Sequence, residues 1–121
     1  YLMSALMRYE SNYDPRKTYV ENFPDSTGAK VVSRGLLQLS KESANGYRCG
    51  IQDAEQLYDP KTNLQCSVRI MNRWIGQDQV ISGTNSAKKW RGLARYWSPF
   101  RRAKQREAMQ RQTRNLPYCK S

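Results

Sequence analysis

The longest helical pattern in the chain begins at Asp59-Pro60, where a capping residue precedes a proline at the first helical position. Beyond this start, one helix face carries four apolar residues: Leu64, Val68, Met71 and Ile75. Gly76 is the expected end of this helix. Strand-like alternation is scarce in the rest of the sequence. The chain is therefore predicted to fold around helices rather than around a large sheet.

Shorter patterns complete the prediction. We expect a first helix over about residues 1–11, a short helix from Ser40 to Asn45-Gly46, and a last helix over residues 99–115. Asp53-Ala54-Glu55-Gln56 resembles a capping box that opens one more helical turn. Ser86 is expected to cap a helix with a buried stripe of Trp90, Leu93, Ala94 and Trp97. A small hairpin is expected to pair Tyr19-Val20 with Lys30-Val31-Val32.

These patterns predict a compact, mainly α domain of the α+β kind, with at most a small β-hairpin. The 121 residues fit one domain over residues 1–121. Because the sequence opens inside a helical pattern without an initiator methionine, we expect it to be a fragment of a longer secreted precursor. No run is long and apolar enough to span a membrane.

Charge and composition exclude several chemistries. The formal net charge is +11, which implies attraction to polyanions such as nucleic acid, an anionic membrane or an acidic wall polymer. The chain contains no histidine, so Ser-His-Asp and Cys-His catalysis and His-ligated metals are excluded. We expect no cofactor and no metal.

Three cysteines are present, at positions 49, 66 and 119. Cys49 and Cys66 lie within one short stretch and are interpreted as a disulfide, which indicates an oxidising compartment. The alternative is three reduced, partly buried thiols. Cys119 is then unpaired or bonded to a group outside this sequence.

Glu10 lies at the end of the first helical pattern, before the stop Ser11-Asn12-Tyr13-Asp14-Pro15. A carboxylate in the last helical turn faces the negative end of the helix dipole, which favours its protonated form. Neighbouring Met7, Tyr9 and Tyr13 add desolvation in the same direction. A carboxyl group that stays protonated near neutral pH is what a general acid needs. The alternative is a helix-end glutamate that faces solvent.

Three further segments accompany Glu10, and each has a structural interpretation of its own. Gly35-Leu36-Leu37-Gln38 is also typical of a loop-to-helix junction, and Asp59-Pro60-Lys61-Thr62-Asn63-Leu64 of capping and packing. Ala94-Arg95-Tyr96 places an aromatic hydroxyl between Trp90 and Trp97, whose spacing is that of a core.

In this order the segments resemble the lysozyme-like lytic transglycosylases of the soluble type, which are related to goose-type lysozymes. The resemblance covers residues 2 to about 100. It implies cleavage of the β-1,4 bond between N-acetylmuramic acid and N-acetylglucosamine in peptidoglycan, with Glu10 as the catalytic acid. It also implies that Ser33, Gln38 and Tyr96 bind the sugar.

The sequence departs from this family at several positions. Trp97 stands where the family has asparagine, Leu37 where it has methionine, and Ser40 where goose-type enzymes have an aspartate. An inverting hydrolase needs a second carboxylate to activate water, and Asp25 and Glu21 are the candidates. A lytic transglycosylase needs one carboxylate, because the muramyl 6-hydroxyl is the nucleophile. The sequence leaves both reactions open.

The leading hypothesis is a periplasmic or secreted muramidase that acts on peptidoglycan glycan strands as a monomer. The alternative is a catalytically silent, basic lysozyme-like module that binds glycan or nucleic acid. Its contacts would come from the last helix: Arg101, Arg102, Lys104, Arg106, Arg111 and Arg114. These residues surround the helix, as on a solvated surface, and the motifs of common nucleic-acid folds are absent. We therefore expect no nucleic-acid partner.

Overall fold

The computed structural model describes residues 2–85, 87 and 89–114. Over this range it has four α-helices: α1 (Leu2–Ser11), α2 (Lys41–Gly46), α3 (Pro60–Asp78) and α4 (Ala103–Arg114). Two antiparallel hairpins pair β1 (Thr18–Pro24) with β2 (Lys30–Arg34) and β3 (Ser82–Thr84) with β4 (Trp90–Gly92). Short 3-10 helices lie at Ala54–Tyr58, Leu93–Arg95 and Ser98–Arg101. The predicted fold class is confirmed, and the second hairpin is an addition to it.

The chain divides into two compact units. The first is Glu10–Ile70, here named the Glu10 unit. The second joins the chain up to Tyr9 to the part from Met71 onward, and is here named the α4 unit. In the described part of the chain, none of the helices is long and apolar enough to cross a membrane.

The Glu10 unit contains most of the elements that the sequence predicted. Ser40 caps α2 by accepting a hydrogen bond from the backbone N–H of Ser43, and Asp53 and Gln56 form the expected capping box. The predicted first hairpin is present: Val20 pairs with Val32, and Tyr19 pairs with Ser33, one residue beyond the predicted stretch. The core residues of this unit are buried: Leu36, Leu37, Leu39, Ala44, Ile51, Leu57, Cys66 and Ile70.

The disulfide between Cys49 and Cys66 is present in the structure. It joins the segment after α2 to the buried side of α3. A cross-link over a loop of this size stabilises a folded chain by about 3 kcal/mol, because it restricts the unfolded state. Cys119 lies outside the described residues.

The α4 unit departs from the prediction in three places. The last helix, predicted over residues 99–115, begins as α4 only at Ala103, after the 3-10 helix Ser98–Arg101. The long helix α3 does not end at Gly76 but continues to Asp78. The next residue, Gln79, leaves the helical conformation with a φ of 58°. A single glycine costs a helix only about 1 kcal/mol, so it does not stop a helix that packing supports.

The prediction of a helix after residue 86 is wrong. The segment forms β4 and two 3-10 helices instead, and Ser86 lies outside the described residues. Gly92 explains the difference: its φ is 62°, and a Cβ there would lie 2.3 Å from the carbonyl oxygen of Ile81. Three of the four residues of the predicted buried stripe, Leu93, Ala94 and Trp97, are buried, whereas Trp90 is half-buried.

Candidate active site

Glu10 occupies the last turn of α1 and is half-buried. The helix ends one residue later, because Asn12 and Tyr13 adopt left-handed conformations with φ of 53° and 64°. The chain then turns through a hydrogen bond from the N–H of Asp14 to the carbonyl oxygen of Ser11, at 3.1 Å. The predicted position of Glu10 at a helix C-terminus is confirmed. Two left-handed residues end the helix, several positions before Pro15.

Ser11 fixes the end of this helix to a distant loop. Its side chain is buried, and its Oγ donates a hydrogen bond of 2.8 Å to the carbonyl oxygen of Leu36. The partners are 25 positions apart in the sequence. Since Glu10 directly precedes Ser11, this contact restricts where the glutamate can lie. The sequence analysis missed this role, for which the only signal was a small polar residue next to Glu10.

The loop that Ser11 contacts, Gly35–Gln38, is closed by two backbone hydrogen bonds between Arg34 and Leu39. Gly35 has a φ of 81°, and a Cβ at this position would lie 2.2 Å from the carbonyl oxygen of Leu57. The same atom would lie 2.4 Å from Nδ2 of Asn63. Glycine is therefore required here for both conformation and space.

Asn63 supports this loop from helix α3. Its side chain is fully buried, and its Oδ1 accepts a hydrogen bond of 3.1 Å from the N–H of Leu37. Its Nδ2 donates to the carbonyl oxygens of Arg34 at 3.0 Å and Leu57 at 2.9 Å. The structural interpretation of this segment is confirmed. Buried amides satisfied in this way specify a single loop conformation.

Gln38 ends the loop in a left-handed conformation with a φ of 51°. Its Nε2 donates to the carbonyl oxygens of Lys17 at 3.0 Å and Gly35 at 2.8 Å. These contacts orient the amide and leave its oxygen as the group that a ligand hydroxyl can meet. The side chain is half-buried.

Ser33 and Glu21 meet across the first hairpin. The Oγ of Ser33 donates a hydrogen bond of 3.0 Å to Oε1 of Glu21, and Ser33 is buried while Glu21 is half-buried. Glu21 is the only residue of β1 with reduced exposure. The structure thus brings together one candidate sugar-binding residue and one candidate carboxylate.

Asp25 has a different environment at the tip of the same hairpin. Its Oδ1 accepts hydrogen bonds from the hydroxyl and the N–H of Thr27 and from the N–H of Ala29. The Thr27 hydroxyl is the largest influence that lowers the pKa of Asp25 below its ordinary value of 3.8. This carboxylate therefore organises a turn.

Tyr96 belongs to the α4 unit, directly after the 3-10 helix Leu93–Arg95. Its ring meets the ring of Trp97 edge-on, with centroids 4.8 Å apart. Trp97, which stands where the family has asparagine, is only 1% exposed and packs in the core. Tyr96 itself is half-buried.

The turn before Tyr96 is held by a buried carboxylate. Asp78 accepts hydrogen bonds from Nε and Nη2 of Arg95, at 2.6 and 2.7 Å, and from the N–H of Gly92 at 2.7 Å. The hydrogen bond from Arg95 is the main reason that the pKa of Asp78 falls to about 2, against the opposing effect of desolvation. The guanidinium of Arg95 also lies 4.5 Å from the centre of the Trp74 ring.

Within the described residues, no group of three or more His, Cys, Asp or Glu side chains is placed to hold a metal ion. What the arrangement offers is proton chemistry: a half-buried glutamate at a fixed helix end, with a second glutamate, a serine and a glutamine in the same unit.

Comparison with known proteins identifies the family. The model of the Transglycosylase SLT domain family matches residues 1–112. Wild-type DslA is similar in structure, with a TM-score of 0.94 and 41% identity. Two DslA variants, each with one glutamate replaced by glutamine, give TM-scores of 0.94 and 0.91 at 40% and 39% identity.

These alignments cover 98% of this chain and 66% of the DslA chains, so the chain spans slightly less than two thirds of their length. No curated protein matches it. On the match over residues 1–112, the chain belongs to the Transglycosylase SLT domain family.

Proposed function

We propose that this chain cleaves the β-1,4 bond between N-acetylmuramic acid and N-acetylglucosamine in peptidoglycan glycan strands, with Glu10 as the general acid. The observation that carries the proposal is the buried hydrogen bond between Ser11 and Leu36. It attaches the helix end that bears Glu10 to the Gly35–Gln38 loop, which contains Gln38, a residue that the resemblance assigns to the sugar site. Membership of the Transglycosylase SLT domain family supports the same reaction class.

In this reaction Glu10 donates its proton to the glycosidic oxygen as the bond to the anomeric carbon breaks. The carboxyl group must be protonated before the reaction. Glu10 lies in the last turn of α1, at the end of the helix that carries partial negative charge. No histidine is available to supply the proton instead.

We propose Glu21 as the second carboxylate, which activates water for a hydrolytic, inverting reaction. Its half-buried position and its hydrogen bond from Ser33 support this role, because a positioned carboxylate is an effective base. The DslA structures support it as well. The two glutamates replaced there lie eleven residues apart, as Glu10 and Glu21 do here.

Ser33, Gln38 and Tyr96 are proposed to bind sugar. The hydroxyl of Ser33 donates its hydrogen bond to Glu21, so its oxygen can accept a hydrogen bond from a sugar hydroxyl. Gln38 presents its amide oxygen after both N–H groups have bound backbone carbonyls. Tyr96 presents a phenolic ring that is half-buried against Trp97.

The protein is proposed to work in the periplasm or outside the cell, as a monomer. The substrate implied by its family is a component of the cell wall, and the Cys49–Cys66 disulfide is compatible with an oxidising compartment.

The test compares Glu10→Gln with wild type in digestion of purified peptidoglycan. The control is Glu55→Gln, which makes the same chemical change at an exposed glutamate of the same unit. We expect Glu10→Gln to lose at least about 10²-fold in rate and the control to keep full activity. Equal activity of all three proteins would refute the role of Glu10.

Mass analysis of the released fragments then identifies the reaction. Hydrolysis leaves reducing ends, whereas a transglycosylase leaves anhydro ends that are lighter by one water. A wild-type protein that binds peptidoglycan and releases no fragments would be the silent module instead.

A further inference from the structure

The net positive charge of the chain lies entirely in one of its two units. The Glu10 unit contains eight basic and eight acidic residues, so its formal charge is zero. The α4 unit contains thirteen basic residues and two acids, Asp78 and Glu107, and thus carries the whole +11. Both proposed carboxylates of the cleavage site, Glu10 and Glu21, lie in the neutral unit, so the excess positive charge is outside the unit that supplies them.

Asp78 and Glu107 are the two acids that could neutralise charge within the α4 unit. In the part of the chain that the structure describes, the ion pairs are those of Asp78 with Arg91 and Arg95. The side chain of Asp78 has no exposed surface, so it offers nothing to other cations. Glu107 is the remaining acid, and it is exposed on α4.

Three of the exposed cations of this unit lie on α4 or directly before it. Lys104 and Arg111 are seven positions apart and share the helix face opposite the buried Met109. Arg102, directly before the helix, is also exposed. Glu107 lies between Lys104 and Arg111 on this face, so these three cations exceed the one acid by two charges.

The residue types indicate the chemistry of the polyanion. The α4 unit has nine arginines and four lysines, whereas the Glu10 unit has four of each. Arginine binds phosphate with two parallel hydrogen bonds and is weakly hydrated, so an arginine-rich surface favours phosphate.

Nucleic-acid strands also require aromatic platforms on which bases stack. The α4 unit includes the half-buried aromatic residues Trp74, Trp90 and Tyr96, but helix α4 itself carries no aromatic side chain. A phosphate polymer without bases therefore fits this surface better than a nucleic acid does.

We propose that the α4 unit binds a linear, base-free phosphate polymer through a surface that includes Arg102, Lys104 and Arg111. This binding is independent of Glu10. It would hold the enzyme on a phosphate-bearing surface while Glu10 acts on glycan.

The test uses two triple variants of the full chain with the same net charge. One replaces Arg102, Lys104 and Arg111 by glutamine. The matched control replaces Lys30, Lys41 and Lys61, which are exposed in the Glu10 unit. Binding of inorganic polyphosphate is measured by titration over a range of salt concentrations, with thermal unfolding as the check on folding.

We expect the first variant to lose about 100-fold in affinity at low salt, since each cation near a polyanionic surface contributes about fivefold. Its slope of log affinity against log salt should fall by about 2. The control should stay within about threefold of wild type, because the proposed surface does not include its three lysines. Equal losses in the two variants would overturn the proposal, because the effect would then be one of net charge alone.

Binding of two other polyanions then shows which class of ligand the surface prefers. Polyglutamate of equal charge should bind more weakly than polyphosphate, and an oligothymidylate should bind no more tightly than polyphosphate. Tighter binding of the oligonucleotide would replace the proposal by a nucleic-acid site. The first variant should still cleave uncharged, N-acetylated oligosaccharides at the wild-type rate, so that failure here is distinguishable from failure of the proposed cleavage.

Discussion

The hydroxyl of Ser11 and the carbonyl of Leu36 form a buried hydrogen bond of 2.8 Å between the end of α1 and the Gly35–Gln38 loop. The next residue of that loop, Leu37, donates its N–H to Asn63 on α3. Two buried contacts thus connect three segments that are far apart in the sequence. The position of Glu10 depends on a loop and on a second helix, and not on α1 alone.

Replacement of Ser11 by alanine should test this dependence. The Leu36 carbonyl would remain buried without its Ser11 partner, at a cost of about 1–3 kcal/mol in the free energy of unfolding. We also expect a lower kcat with an unchanged KM, since the change displaces the proton donor without touching the sugar contacts. Ser11→Thr, which retains the hydroxyl, should recover most of the rate. A loss of stability with a normal kcat would make Ser11 purely structural.

A pair of glycines separates crowding from backbone strain. Gly35 and Gly28 both have positive φ, at 81° and 88°, but only Gly35 has atoms where a Cβ would lie. Gly28→Ala should cost about 1 kcal/mol, the strain of a left-handed residue. Gly35→Ala should cost at least about 3 kcal/mol, because it also displaces Leu57 or Asn63. Chemical denaturation measures both, and similar losses would mean that the loop can move to admit a methyl group.

Sequence patterns located elements that depend on local rules. The cap at Ser40, the capping box at Asp53 and the Asp59-Pro60 start of α3 all follow from neighbouring residues. The structure of the segment after residue 86 does not follow from neighbouring residues, although its apolar spacing is that of a helix. Gly92 there is bound to the side chain of Asp78, 14 positions away. Contacts of that kind leave no local signal.

The same limit applies to the candidate site. The position of Glu10 at a helix end was predictable, because a stop signal follows it directly. The contact between Ser33 and Glu21 was not, because it depends on the register of the first hairpin. Asp25 and Glu21 looked equivalent as second carboxylates until their partners could be compared.

Asp78 should contribute to stability in a defined pH range. Its pKa is lowered to about 2 in the folded protein from 3.8, mainly by the hydrogen bond from Arg95. A lowered pKa stabilises the folded state above pH 3.8, and the contribution is lost as the pH falls toward 2. Asp78→Asn should therefore be less stable than wild type near neutral pH, and the difference should shrink on acidification. Urea unfolding at several pH values measures it, and a difference independent of pH would contradict this assignment.

The choice between Glu21 and Asp25 decides whether a second carboxylate takes part in the reaction. Glu21 is half-buried and accepts a hydrogen bond from Ser33, a proposed sugar ligand. In contrast, Oδ1 of Asp25 accepts hydrogen bonds from Thr27 and Ala29 at the hairpin tip. If Glu21 activates water, Glu21→Gln should lower the rate of hydrolysis by about 10²–10⁴-fold. Asp25→Asn should leave the rate within about threefold, with a modest loss of hairpin stability.

Both variants should be assayed on the same peptidoglycan, with the ends of the released fragments identified by mass. Reducing ends from wild type, together with a loss in Glu21→Gln alone, would establish the two-glutamate hydrolase. Anhydro ends from wild type and an active Glu21→Gln would instead leave Glu10 as the single carboxylate, because an internal hydroxyl needs no activated water. A loss in Asp25→Asn that equals the loss in Glu21→Gln would mean that the hairpin as a whole, and not the Glu21 carboxylate, supports cleavage.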